Sequence, residues 1–497
     1  MAPPAVGPAT CEALVALKLP HVTIADARAF PASPSGATPA VPASCRVVGT
    51  SRPTTDSEIR FEVAIPVNES WNGRYLQLGN GGFAGSIPEA SLLRRVAMGY
   101  AAAATDDGHQ SKPDDIDASW ALGHPEKLVD FGYRALKETT DAARAIVRAY
   151  TGRAPAHSYF VGCSDGGREA LMEAQRYPDD FDGIVAGAPA NHWTHLFFGG
   201  VWDVQTLLET PASHVPASKL PALQAAALAA CGDEDRVIED PLTCRFDPAV
   251  LRCRGQENDA CLTDAQIKSV RAIYAGPKVN GTGDPIEPGY EPGSEAEEDN
   301  WKEWIVGSGP GVGGGADIAR FVDTFFRHIV FADPAYDLRR FRFDIDVAAT
   351  DAKVAAILNS YDPDLSAFQK HGGKLIVYHG WGDAAVPPRD SIRYYEAVQA
   401  KMGDPRGFFR LFMAPGMLHC GGGAGPDVLA TFPAITDWVE SGRVPDQILA
   451  TKMAGEGGSA HVARTRPLCP YPLHARWDGK GDRTLAASFA CNVSLGP

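Results

Sequence analysis

The sequence predicts an α/β fold built on a mostly parallel sheet and broken by one long insertion. Two observations carry that reading. Strand-like and helix-like segments alternate in both halves of the chain, and the alternation stops between about residues 192 and 350. A Gly-x-Ser-x-Gly pentapeptide, Gly162-Cys163-Ser164-Asp165-Gly166, falls between a predicted strand and a predicted helix.

Apolar and charged residues alternate from Phe61 to Ile65, and Arg74 to Leu78 repeats a strand-like pattern that ends in Gly79-Asn80-Gly81-Gly82-Phe83-Ala84-Gly85. These read as strands feeding a glycine-rich loop. Gly99-Tyr100-Ala101-Ala102-Ala103-Ala104-Thr105-Asp106 is a buried-strand candidate, and an amphipathic stretch from about Glu126 to Tyr150 reads as helix. His157 to Val161 is a strand that leads into Ser164, and Arg168 to Arg176 has helical apolar spacing before Pro178 stops it. Beyond the insertion the rhythm returns with Lys374-Leu375-Ile376-Val377-Tyr378-His379-Gly380 and with Phe408 to Ala414. The insertion holds four cysteines between 231 and 261 and a Gly/Pro-rich run over 276–315, which cannot continue a regular βαβ series. The expected organisation is a discontinuous α/β domain, 1–191 and 351–497, carrying a lid over 192–350.

A chain of 497 residues exceeds the usual limit of one core, which agrees with a large domain plus a second module. The formal charge of −15 and the lack of a lysine or arginine cluster argue against a nucleic-acid partner. No stretch approaches the roughly 18 uninterrupted apolar residues of a membrane span, so no membrane partner is expected. Nothing in the sequence specifies an oligomeric state. The ten cysteines include no CxxC pair, which fits an oxidised framework better than a zinc site. The expectation is a secreted or periplasmic protein; the start, Met1-Ala2-Pro3-Pro4, carries no signal peptide, which is expected to have been trimmed.

The chemistry is read from strand ends. Small residues let a sharp strand-to-helix turn present Ser164. Asp383 follows the strand ending at His379-Gly380, and His419 follows the strand ending near Ala414. A serine is a weak nucleophile until a histidine takes its proton, and an acid must fix the imidazole tautomer. Asp390, Asp404 and Asp427 compete for the acid and His379 for the base; Asp383 is favoured because it comes directly off a strand, and His379 reads as structural because it lies on one. The order Ser164, Asp383, His419 is the α/β-hydrolase order, so the expected fold is an α/β-hydrolase with a large inserted lid. The oxyanion that develops needs two N–H donors, expected from Asp165 and from the Gly81-Gly82 region. If Ser164 and His419 are partners, Cys163 and Cys420 are also brought close, and a disulfide between them would staple the pair.

These residues resemble the tannase and feruloyl esterase family, which also contains the enzyme that hydrolyses mono(2-hydroxyethyl) terephthalate. The resemblance covers nearly the whole chain. Its strongest blocks are Tyr159-Phe160-Val161-Gly162-Cys163-Ser164-Asp165-Gly166-Gly167-Arg168, Ala174-Gln175-Arg176-Tyr177-Pro178 onward to Ala190, Gly372-Gly373-Lys374 onward to Pro388, and Arg466-Pro467-Leu468-Cys469-Pro470-Tyr471-Pro472. It implies a triad of Ser164, Asp383 and His419, the pairing Cys163-Cys420, and the further disulfides Cys11-Cys45, Cys231-Cys244, Cys253-Cys261 and Cys469-Cys491. Its members usually carry a calcium loop, for which Asp233, Asp235, Val237 and Glu239 are the corresponding positions. Here that loop is shortened by about four residues and has Arg236 where a glycine is expected, whereas Ca²⁺ needs about 6–8 oxygens. Several ligands are then missing, which leaves either a weaker calcium site or a solvated turn tied by Cys231-Cys244, and no cofactor is required for the chemistry.

The implied function is a secreted serine carboxylesterase acting on a small-molecule aromatic ester through an acyl-enzyme. Feruloyl-type activity is the expectation, with tannase, chlorogenate esterase and terephthalate monoester hydrolase as alternatives that share the chemistry; Asp165, acidic where many members have asparagine or threonine, leans towards the terephthalate enzyme. A non-catalytic binding protein on the same fold is the alternative from another class. Trp193, Phe197, Phe198, Trp202, Trp301, Trp304, Phe321, Phe325 and Phe326 supply aromatic surface in the insertion for a phenolic acyl group, although most are expected to form that segment's own core.

Overall fold

Three antiparallel strands, β1 (Val22–Phe30), β2 (Ser44–Ser51) and β3 (Ile59–Pro66), lead the chain into its sheet, and burial deepens from β1 to β3. The computed structural model describes residues 9–33, 40–112, 115–455 and 459–493; residues 1–4, read above for a signal peptide, lie outside them. These residues pack as two units. One holds the chain up to Ala186 together with Ile357–Lys374, and the other holds Gly187–Ala356 together with the chain from Leu375.

In the first unit β3 pairs antiparallel with β5 (Ala101–Thr105), and β5 pairs parallel with β4 (Arg74–Leu78), which pairs parallel with β6 (His157–Cys163). The strand order is β1-β2-β3-β5-β4-β6 and then β7 (Gly183–Gly187). Every residue of β5 is buried, and its alanines let α1 (Glu89–Ala97) and α2 (Ala135–Thr151) approach the sheet closely. Leu78 on β4 lies opposite Val161 on β6. Parallel pairing therefore delivers the loop after β4 and the turn after β6 to the same edge of the sheet, the carboxyl edge where α/β folds place ligands.

The helix expected from about Glu126 to Tyr150 is present, with one widened π turn at Asp130–Arg134 between Pro125–Val129 and α2. The cause is a buried cation. Arg168, on α3 (Asp165–Arg176), donates to Gly132 O at 2.8 Å and to Phe131 O at 3.0 Å, carbonyls within the widened turn.

In the second unit β8 (Lys374–Gly380) and β9 (Phe409–Ala414) run parallel. The insertion supplies α4 (Trp193–Leu208), α5 (Leu220–Cys231), α6 (Asp264–Ala275) and α7 (Asp317–Thr324). Leu223, Ile267, Val270, Ile273 and Trp301 form part of one core there, and Thr263 with Gln266 closes a capping box at the start of α6. The segment 192–350 thus packs in one unit with the chain from Leu375. Helix α8 (Pro388–Met402) connects β8 to β9; α9 (Thr431–Ser441) follows β9, and the remaining strands form a three-stranded and a two-stranded antiparallel sheet. Disulfides join Cys11 to Cys45 in the first unit, and Cys231 to Cys244, Cys253 to Cys261 and Cys469 to Cys491 in the second. No cysteine among the described residues is free. No helix among them is long and apolar enough to cross a membrane.

Candidate active site

Ser164 occupies the turn between β6 and α3 with φ 65° and ψ −121°, a conformation that costs a non-glycine residue on the order of 1–3 kcal/mol and so must be held by its surroundings. Glycines make the turn possible. A Cβ on Gly162 would lie 2.2 Å from Gly166 O, and one on Gly166 would lie 2.6 Å from Asn80 O. Strand, helix and glycine loop therefore meet at backbone distance. Gly167 and Arg168 donate their N–H groups to Ser164 O at 3.0 and 3.1 Å, while Gly166 N donates to Asn80 O at 2.9 Å. Asp165 is the first residue of α3, so its N–H lies at the positive end of the helix with no acceptor inside it.

The loop after β4 turns at Gly82, φ 58°, and Ala84 N donates to Gly81 O at 2.9 Å. Three buried carboxylates, Asp107, Asp165 and Glu169, lie beneath it, with oxygens within 4.8 Å of one another. Burial raises the Asp165 carboxyl to about 7 even though Arg168 Nε donates to its Oδ1 at 2.5 Å. Arg168, itself fully buried, is the counter-charge of the group, and that favours a charge-compensated cluster over a metal centre.

In the second unit, Trp381 N donates to Ala414 O and Gly382 N to Met417 O, both at 2.9 Å. These bonds stitch the ends of β8 and β9 together and bring Asp383 and His419 within reach. His419 Nδ1 lies 2.7 Å from Asp383 Oδ2; a carboxylate only accepts, so Nδ1 carries the proton and Nε2 is left as the base. Asp383 Oδ1 accepts from Ala385 N and Val386 N at 2.8 Å each. Burial would raise this carboxyl, but the charge of His419 and the hydrogen bonds from His379 and His419 outweigh it and hold Asp383 well below the usual range.

The competing residues are engaged elsewhere. His379 is fully buried between Ser391 Oγ (2.7 Å), Val386 O (3.1 Å) and Asp383 Oδ2 (3.2 Å), so it supports the acid. Asp404 pairs with Arg406, Asp427 takes Lys452 and Gly422 N, and Asp390 is buried on α8 beside Glu287. Among the aromatics of the insertion, Trp193, Phe197, Phe198, Trp301, Phe325 and Phe326 are core. Trp202, half-buried, donates Nε1 to Ala272 O, and half-buried Phe321 stacks on Trp304. Trp304 in turn meets the His419 ring edge-on at 5.5 Å between centroids.

His192, His195 and Glu287 also converge closely enough to hold a metal. Their surroundings oppose it: His195 Nε2 is 3.1 Å from Asp351 Oδ2, and Arg393 reaches Glu287 at 3.2 Å. Despite burial, Asp351 and Glu287 push His195 up to about 9, and a protonated imidazole is no ligand.

The shortened loop does not fit a calcium ion. Asp235 is bound by Arg466, with Arg464 Nη1 at 3.5 Å and Arg483 Nη2 at 4.0 Å, and Arg483 reaches Asp233 at 3.4 Å. The Val237 carbonyl accepts from Asp233 N at 3.0 Å. Burial, with the charge of Asp233, raises Glu239 to about 8, which makes it a neutral acid. Three guanidinium groups supply the positive charge that an ion would bring.

Sequence reasoning gave no role to Asn80 in the glycine loop, to Asp107 and Glu169 beneath it, or to the three arginines that meet the shortened loop. No spacing signature marks either group; the glycine loop itself was the only pointer to Asn80.

A mostly parallel sheet with a serine turn at the carboxyl edge of its parallel strands, and a strand-end aspartate holding a histidine, define an α/β hydrolase. Residues 45–492 match the family described as tannase and feruloyl esterase, and the chain belongs to that family of carboxylic ester hydrolases. It is 43% identical to an uncharacterized esterase of Xanthomonas campestris, covering 97% of this chain and 91% of that one. It is 34% identical to the mono(2-hydroxyethyl) terephthalate hydrolase of Piscinibacter sakaiensis, over 93% and 87%. Feruloyl esterase B from Aspergillus oryzae superimposes with a TM-score of 0.85 at 27% identity, over 97% of this chain and 99% of that one.

Proposed function

We propose that the protein is a secreted or periplasmic serine esterase that cleaves esters of phenolic acids through an acyl-enzyme. Ser164 Oγ attacks the ester carbonyl while His419 Nε2 takes its proton. Asp383 keeps the proton on Nδ1 and stabilises the imidazolium formed during attack. The N–H groups of Asp165 and of the Gly81-Gly82 loop stabilise the oxyanion, a role in which a single donor is worth roughly 10²–10³ in kcat. His419 then protonates the leaving alcohol, and water, activated by the same base, releases the acid. No step uses a metal or cofactor.

The observation that carries this reading is the 2.7 Å bond from His419 Nδ1 to an Asp383 whose other oxygen is filled by two backbone amides. Such a carboxylate has no freedom to turn away. The strained Ser164 turn supports the nucleophile, and relatives named as feruloyl esterases and as a terephthalate monoester hydrolase support an aromatic acyl group. Trp304, edge-on to His419, is the side chain best placed to meet it. A disulfide from Cys163 to Cys420, residues adjacent to the nucleophile and the base, belongs to the same reading, and so does an oxidising compartment.

The test is turnover of methyl ferulate, methyl gallate, chlorogenate and mono(2-hydroxyethyl) terephthalate. At least one should be cleaved, with methyl ferulate expected first, and Ser164→Ala should abolish cleavage. Substantial residual turnover in Ser164→Ala would sink the assignment.

A further inference from the structure

Asn80 is gripped from four sides. Its N–H donates to Glu169 Oε2 at 2.9 Å, and its Nδ2 donates to Asp107 Oδ2 at 2.7 Å and to Thr105 O at 2.9 Å. Its carbonyl accepts from Gly166 N at 2.9 Å. One residue therefore joins the start of the Gly81-Gly82 loop to the nucleophile turn. The approach is close enough that a Cβ on Gly79 would lie 2.7 Å from both Glu169 Oε2 and Gly166 Cα.

Asp107 and Glu169 are fully buried, and Asp107 adopts φ 58°, a left-handed conformation that turns the chain sharply at the end of the β5 loop. Asp107 Oδ1 and Glu169 Oε1 are both buried without a donor. Two adjacent carboxylates in that setting repel unless one of them carries a proton. Burial, and then the charges of Glu169 and Asp165, raise Asp107 well above the usual range, with Asn80 acting the other way and Arg168 the cation nearby. A proton on Asp107 would let Oδ1 donate to Glu169 while Oδ2 accepts from Asn80.

We infer that Asn80, clamped by the Asp107–Glu169 pair, is a positioning residue that sets the separation of the two loops whose amides receive the oxyanion. The inference rests on the triad reading above. It adds three residues to that reaction, none of which touches substrate.

The experiment measures kcat and KM on the wild-type protein's best ester, with Asp107→Asn, Asp107→Ala and Asn80→Ser. Asparagine mimics the protonated acid, with one acceptor for Asn80 and one donor for Glu169. Asp107→Ala and Asn80→Ser should lower kcat by roughly 10- to 100-fold with KM within about twofold, because oxyanion donors are displaced while the binding surface is kept. Asp107→Asn should restore most of the loss. Asn80→Ser leaves both backbone bonds in place and serves as the test if the alanine variant fails to fold. Wild-type kcat in Asn80→Ser, or Asp107→Asn as impaired as Asp107→Ala, would overturn the inference, as would one equivalent of divalent cation in the purified protein lost in Asp107→Asn. Ser164→Ala separates the two levels. Turnover there rejects the triad itself, whereas an inactive Ser164→Ala beside an unaffected Asn80→Ser rejects only the clamp.

Discussion

Asp383 Oδ2 lies between two imidazoles, 2.7 Å from His419 Nδ1 and 3.2 Å from His379 Nε2. The first histidine is half-buried and the second fully buried, so the outer ring is the one left to exchange protons. The carboxylate fixes its tautomer. Asp383→Asn should therefore lower kcat by roughly 10⁴ with little change in KM, because an amide can donate to Nδ1 and put the proton on the wrong nitrogen. Steady-state kinetics decide it; a loss smaller than about tenfold contradicts the role.

Trp304 tests the aromatic acyl group. Its ring meets His419 at 5.5 Å and is only half-buried, unlike the core rings around it. Trp304→Ala should weaken kcat/KM for methyl ferulate by roughly tenfold, about 1.4 kcal/mol of lost aromatic contact, and affect a short aliphatic ester much less. Equal losses on both substrates would assign Trp304 to the packing of His419 instead.

The arginines that pack against the shortened loop predict indifference to calcium. EDTA and added CaCl2 should each leave the melting temperature unchanged. Arg466→Ala should lower stability by roughly 1–3 kcal/mol, since it uncovers the largely buried Asp235. A calcium-dependent rise in melting temperature of the wild-type protein contradicts the reading.

The His195–Asp351 pair predicts a slope of stability with pH. An unfolded histidine titrates near 6.5, and here it is pushed up to about 9, burial being outweighed by Asp351 and Glu287. Between those values the folded protein holds the extra proton. The stabilisation is complete below 6.5 and is lost as pH rises through about 9. Neighbouring His192, pushed down to about 4 by burial and by His195, stays neutral across this range. Melting temperature should fall over that interval, and His195→Gln should flatten the fall; an unchanged slope in the variant counts against the pair.

The proposed disulfide between Cys163 and Cys420 predicts a separation of activity from structure. Replacing Cys163 and Cys420 together by serine should lower turnover more than it lowers far-ultraviolet circular dichroism. Full turnover in the double variant refutes the role.

The strands around Ser164 were legible because a short strand-like run before the turn and a helix stop after it bracket it; β4 runs from Arg74 to Leu78 as expected. β1 was not, since its burial alternates weakly along Val22–Phe30 and the edge strand stays largely solvated. Ser164, Asp383 and His419 could be read because strand ends announce them. Asn80, Asp107 and Glu169 could not, because three elements meet there and only the folded chain brings them together. The same holds for Arg466 and Asp235, which are 231 residues apart. In that case the sequence showed a missing glycine and a shortened loop, but not the cations that occupy its place.

The most direct test of the serine esterase reading is mass spectrometry after reaction with a fluorophosphonate. One adduct per chain is predicted on the peptide that contains Ser164, absent in Ser164→Ala and formed more slowly in Asp383→Asn. No adduct, or the same adduct in Ser164→Ala, would contradict it.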